Sequence, residues 1–149
     1  MPETERDLRA HRILLVSHSI LAGPRSAALA RSAVDWAAGQ RVGLYQLPLP
    51  AHELRPRTPS GRLARLSAAD LRAEARELDA VFEQTRDYLA AGYDLLGLAL
   101  LAQDTASAAG RDWLARLLRI AATHEVDLPV WRVARDADRF APAIVGAVG

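Results

Sequence analysis

The stretch Arg12-Ile13-Leu14-Leu15-Val16-Ser17-His18-Ser19 opens a segment that runs to Gln46-Leu47-Pro48-Leu49-Pro50 and decides the fold. Ile13 to Val16 is an unbroken apolar run, the pattern of a strand covered on both faces. Gly23-Pro24 then breaks the chain. Pro24 or Ser26 is placed to start a helix carrying Leu29, Ala33, Trp36 and Ala37 inward, with Gly39 as its stop. Val42 to Leu47 reads as a second strand, ended by Pro48 and Pro50. A strand, a helix and a second strand of this size imply parallel pairing. Both strand ends then lie on one rim of the sheet, where such folds place their ligands.

The rest of the chain repeats the unit. Residues 51–66 form a long loop with Pro56, Pro59 and Gly61 and four arginines, Arg55, Arg57, Arg62 and Arg65. Ser67 followed by Asp70 is a helix-capping pattern. Leu71, Ala75, Leu78, Phe82, Thr85 and Leu89 then recur at helical spacing up to Gly92. The opposite face, Arg72, Glu74, Arg76, Glu77, Asp79, Glu83 and Arg86, reads as solvated and laced with ion pairs. Tyr93 to Leu101 is a third strand and Gln103 to Ser107 a polar turn. A helix carrying Trp113, Leu114, Leu117, Leu118 and Ala121 follows, ending near His124. Pro129 to Val133 is a fourth strand, and a last helix is expected around Phe140 to Val148.

This alternation predicts one α/β domain over residues 1–149, in three α/β/α layers around a four-stranded parallel sheet of the Rossmann-like or flavodoxin-like kind. The expected strand order is 2-1-3-4, with the switch point between strands one and three. Residues 17–26, 102–108 and 48–57 would line the crevice.

Composition removes several functions. There is no cysteine, so disulfides, thiolate nucleophiles and cysteine-held zinc or iron–sulfur centres are excluded. The 19 basic side chains, all arginine, balance 18 acids to a formal charge of +1, which gives no reason to expect nucleic acid. Arginine in every basic position, with abundant alanine, reads as the codon bias of a GC-rich, bacterial genome. No apolar run approaches the length of a membrane span. The charged residues 1–12 lack the pattern of a secretory signal, so the expected compartment is the cytoplasm.

Three pieces of sequence resemble the thiouracil desulfidase-like proteins. Val16-Ser17-His18-Ser19-Ile20-Leu21 is similar to their His-Cys-hydrophobic-Leu-Asn. Gln46-Leu47-Pro48-Leu49-Pro50-Ala51 is similar to their Gln-Leu-Pro-Cys-Pro-Glu. Gly97 to Ala108 occupies the place of their Gly-x-x-Gly-x-x-Gly-Ser-Pro-Ser-Cys-Gly. The resemblance covers nearly the whole chain and implies the fold and a pocket. In that family three cysteines hold an iron–sulfur cluster that takes sulfur from a thiocarbonyl substrate. Here those positions hold Ser19, Leu49 and Ser107, and the family's glutamate is Ala51. The resemblance therefore implies a pocket without a cluster or a desulfidase activity, and no cofactor or metal is expected.

His18 is the expected acid or base, because imidazole exchanges protons near neutral pH. Ser19 and Asp104 would orient it or the substrate, forming the catalytic set. Substrate-binding residues would be Ser17, Arg25, Gln46, His52, Glu53 and Ser107. Arg25 near a helix start suits an anion. Glu53 stands two residues from the missing glutamate. No Gly-x-Ser-x-Gly elbow, Walker or Gly-x-Gly-x-x-Gly pattern occurs, which speaks against a hydrolase triad on an elbow and against a nucleotide.

The expected function is non-redox acid–base chemistry on a small molecule of primary or secondary metabolism, of lyase, isomerase or hydrolase type. The rivals are a non-catalytic binding or accessory protein, and a degenerate relative with no pocket function. Expected partners are a small-molecule ligand and either a second copy of the chain or a partner enzyme.

Overall fold

The structure, a computed structural model, describes residues 11–22, 27–53, 66–133 and 143–144. In chain order the elements are β1 (Arg12–Val16), α1 (His18–Ala22), α2 (Ala27–Gln40), β2 (Val42–Gln46), a 3-10 turn (Ala51–Glu53), α3 (Ala68–Ala90), β3 (Asp94–Leu101), a second 3-10 turn (Ala102–Thr105), α4 (Ala108–Thr123), β4 (Val130–Val133) and β5 (Ala143–Ile144). The sheet order is β2-β1-β3-β4-β5. The first four strands are parallel, in the order expected, and β5 pairs antiparallel with β4. This is a doubly wound, flavodoxin-like or Rossmann-like α/β sheet with helices on both faces.

Both faces of the central strands are buried, as their continuous apolar runs require. Leu15, Leu98 and Leu100 point to one face and pack with Leu78 and Phe82 of α3 and Trp113 and Leu117 of α4. Leu14, Val16, Ala99 and Leu101 point to the other, against Ile20 of α1 and Leu29, Ala33 and Ala37 of α2. Phe82, Trp113, Leu14 and Leu15 are almost wholly removed from water. Each such side chain contributes roughly 1.5–3 kcal/mol of transfer free energy.

The helix ends follow local chemistry. Ser67 Oγ accepts from Asp70 N (3.1 Å), and the Asp70 carboxylate accepts from Ser67 N (2.9 Å), so the capping box is present. Gly92 stands past the end of α3 at a positive φ of 98°. The expected stop of α2 at Gly39 is corrected: the helix continues through Gln40, and Arg41, with φ 57°, turns the chain into β2. The helix expected around residues 140–148 is also corrected where that segment is described. Ala143 and Ile144 pair with Arg132 and Trp131 as a strand.

Glu74 is a third correction. It was placed on the solvated face of α3 but is only 7% exposed. Its carboxylate accepts from Arg116 Nε (2.6 Å) and Nη2 (3.2 Å) on α4 and from Ala51 N (3.2 Å). One acid thus joins two helices and the turn after β2. Leu71 and Leu89, expected inward, are exposed at the two ends of the stripe. Glu74→Ala should destabilise the protein by about 2 kcal/mol in urea unfolding, less than the roughly 3–5 kcal/mol for breaking a fully buried pair because Arg116 keeps contact with water. Glu74→Gln, which retains an acceptor for Ala51 N, should cost less. Equal and negligible losses would show that the pair holds nothing together. Among the described residues no helix is long and apolar enough to cross a membrane.

Candidate functional site

The switch point lies between β1 and β3, whose carboxyl ends carry Ser17 and Asp104. Ser17 is fixed by the ladder on both sides of β1. Its N–H donates to Ala99 O (3.0 Å), and the preceding carbonyl, of Val16, accepts from Leu47 N (2.9 Å). Ile20 N then donates to Ser17 O (3.1 Å), which starts α1 and sets Ser19 one residue inside it. On the facing strand, the chain leaves β3 into the turn Ala102–Thr105. Asp104 caps that turn by accepting from Leu101 N at 2.8 Å.

The Asp104 carboxylate bridges the two loops. Ser17 Oγ donates to Oδ2 and Ser19 Oγ to Oδ1, both at 2.7 Å, and the two hydroxyl oxygens are 3.0 Å apart. The fold therefore brings Ser17, Ser19 and Asp104 together over separations of 87 and 85 residues. With each hydroxyl donating to the carboxylate, the serines retain lone pairs as acceptors but have no proton left to offer a ligand. A part-buried network in which every donor is used holds the rim in one arrangement.

Gly110 lets the turn sit this close to α4. A Cβ there would lie 2.0 Å from Asp104 O, closer than any side chain permits. Ser107 accepts from Gly110 N (3.0 Å) and is the N-cap of α4. That cap, rather than a bond to Asp104, is the role its hydroxyl has.

His18 is the first residue of α1, partly exposed between the two serines. Among the described residues it makes no side-chain hydrogen bond or ion pair; Asp104 pairs with its neighbours instead. The serine–histidine–aspartate relay is therefore not the arrangement of these side chains. Gln46 is exposed at the end of β2. Its neighbour Tyr45 is partly buried. That burial, with Tyr88 adding to it, pushes the Tyr45 phenol above its usual pKa. The neutral phenol is favoured by folding, so this contribution is complete at neutral pH and is lost as pH rises through the raised value. His52 and Glu53 lie in the turn after β2; Glu53 is exposed, and His52 Nδ1 is buried with no hydrogen-bond partner among the described residues. Arg25, and the loop arginines Arg55, Arg57, Arg62 and Arg65, fall outside the described residues.

The donor set does not fit an iron–sulfur cluster. Ser19 Oγ is committed to Asp104, Ser107 Oγ to the cap of α4, and Leu49 has no donor atom. Among the described residues no three His, Asp or Glu side chains are grouped so as to hold a metal ion.

Sequence reasoning missed two features near the rim. One is the Glu74–Arg116 pair that anchors the turn bearing His52. The other is an open concavity of about 410 Å³ beside the Ala102–Thr105 turn, whose lining includes Arg111 and Arg132. The polar turn after β3 signalled a site, but arginines on two later elements carry no motif. No protein-family model, curated protein or solved structure matches this chain.

Proposed function

We propose that this chain is a cluster-free α/β protein that acts on a small molecule by non-redox acid–base chemistry at the β1–β3 switch point. The observation that carries this reading is the Asp104 carboxylate joining the Ser17 and Ser19 hydroxyls across that crevice. It fixes the start of α1, and with it the backbone position of His18. The serine oxygens, with their hydroxyl protons engaged in hydrogen bonds to Asp104, act as acceptors that orient a ligand's N–H or O–H. His18 is the group that takes or gives the proton, since imidazole is the side chain best suited to do both near neutral pH. The likeness of the His18 and Gln46-Leu47-Pro48 segments to the desulfidase-like motifs supports an inherited pocket. The missing thiolates remove that family's chemistry from it.

A second reading, a non-catalytic binding or accessory protein, is favoured by the same hydrogen bonds. Both serines are paired with the Asp104 carboxylate and neither with the imidazole that would make it a nucleophile of the serine–histidine kind. Metabolite profiling separates the two. The purified protein is incubated with a small-molecule extract, and consumed compounds are identified by mass spectrometry. Wild type should consume at least one compound, and His18→Ala should slow its loss by about 10²–10⁴-fold, the usual contribution of a positioned acid or base. Unchanged turnover in the variant would remove His18 from the chemistry. No compound consumed by wild type, but one retained on it, would establish the second reading.

A further inference from the structure

We propose that the concavity bounded by α4, the Ala102–Thr105 turn and β4 is a binding site for a small carboxylate with an apolar body. Its volume of about 410 Å³ falls within the range of roughly 300–1,000 Å³ typical of small-molecule sites. One wall is the side of α4 that carries Leu114, Ala115 and Leu118, and the floor includes Ala102 at the end of β3. Among the described residues of the lining, Arg111 and Arg132 are the charged ones and none is an acid.

Arg111 is aimed by the main chain. Its Nη1 donates to the carbonyls of Thr105 (3.3 Å) and Ala106 (3.1 Å). These bonds hold the guanidinium against the turn and use only one of its three nitrogens, leaving the remaining edge for a planar anion. Arg111 also lies in the first turn of α4, where the helix end adds partial positive charge of the same sign. Two guanidiniums disfavour a metal cation, and a neutral ligand would leave them unmatched. The apolar wall excludes a bare inorganic anion as the best occupant, because Leu114 and Leu118 would then gain nothing. A carboxylate on an aromatic or aliphatic body satisfies both halves.

This site shares its turn with Asp104, but Ser17, His18, Ser19 and Asp104 are not in its lining. Binding here and turnover at the switch point are therefore separate observations, and either can fail alone. The test is titration of isotope-labelled protein with 2-naphthoate, 2-naphthamide and inorganic phosphate, followed by amide shifts. Naphthoate should shift the amides of residues 102, 105, 106, 111 and 114 saturably. Naphthamide should bind at least tenfold more weakly. Arg111→Gln and Arg132→Gln, each checked for native shifts elsewhere, should each weaken naphthoate several-fold. Equal binding of acid and amide would overturn the assigned charge recognition. Phosphate binding as tightly as naphthoate would overturn the assigned apolar body. No shifts at these residues would overturn the site.

Discussion

Gly97→Ala should destabilise this protein by about 4 kcal/mol, the sum of backbone strain of about 1–3 kcal/mol and overpacking of similar size. Gly97 has φ +138°, a region that side chains rarely enter, and it follows the point where the β1–β3 register shifts by one residue. A Cβ there would meet Pro129 O at 2.3 Å and Trp131 Nε1 at 2.7 Å. Neither neighbour is free to retreat. Pro129 O accepts from Leu98 N (2.8 Å), and Trp131 Nε1 donates to Leu96 O (2.7 Å), the carbonyl of the extra residue. The bulge, the indole and β4 are one assembly, and a methyl group splits it. Domains are stable by only about 5–15 kcal/mol in total, so the variant should melt far below wild type or fail to fold. Unfolding by heat and by urea measures this. A loss under about 1 kcal/mol would mean that β3 does not carry the bulge described.

Asp104→Ala should have the second largest effect, about 3 kcal/mol, and should dissolve the rim. The substitution leaves three donors without their acceptor: Ser17 Oγ, Ser19 Oγ and Leu101 N. Ser17 is only 2% exposed, so water cannot replace the lost bond without opening the loop. Each stranded buried donor costs about 1–3 kcal/mol, less where the serines can turn to one another. Ser17 and Ser19 are placed to do so, with their oxygens 3.0 Å apart. Asp104→Asn keeps one carbonyl oxygen and should lose about 1 kcal/mol. Amide exchange should speed up at residues 17–20 and 101–105 in the alanine variant while the body of the sheet stays protected. Uniform exchange throughout, or no change, would contradict a local role for Asp104.

The sheet was legible because its strands are buried on both faces. Such strands read as apolar runs: Ile13–Val16 is unbroken, and Leu95–Leu101 is interrupted only by Gly97. The short strand β5 was not legible: Ala143 and Ile144 are too few to carry a period, and pairing with β4 forms them. Glu74 was misread because charge outweighed phase. Counting back from Thr85, Val81 and Leu78 puts residue 74 on the buried stripe. Its partner Arg116, on another helix 42 residues away, left no trace in the local pattern.

At the candidate site, the strand order was enough to bring Ser17, Ser19 and Asp104 to one rim. The choice of partner was not. Asp104 bonds the residues on either side of His18 because Ser17 still follows the strand while Ser19 is one turn-step into α1. That is a matter of side-chain direction over a few ångströms, which residue type and spacing do not resolve. The cavity at Arg111 was invisible for a related reason: its members come from the turn after β3, from α4 and from β4, and no two of them form a motif.

The loops after β1 and β3 meet at one mouth, and a double-mutant cycle between Ser17→Ala and Asp104→Ala tests this most directly. The two residues stand 87 apart in the chain and are joined by one hydrogen bond of 2.7 Å. Urea unfolding of wild type, both single variants and the double variant yields their coupling. Residues in contact couple by about 0.5–3 kcal/mol; here at least about 1 kcal/mol is expected, since the hydroxyl is buried and its acceptor is charged. Strictly additive losses, within about 0.3 kcal/mol, would mean that the two loops do not meet.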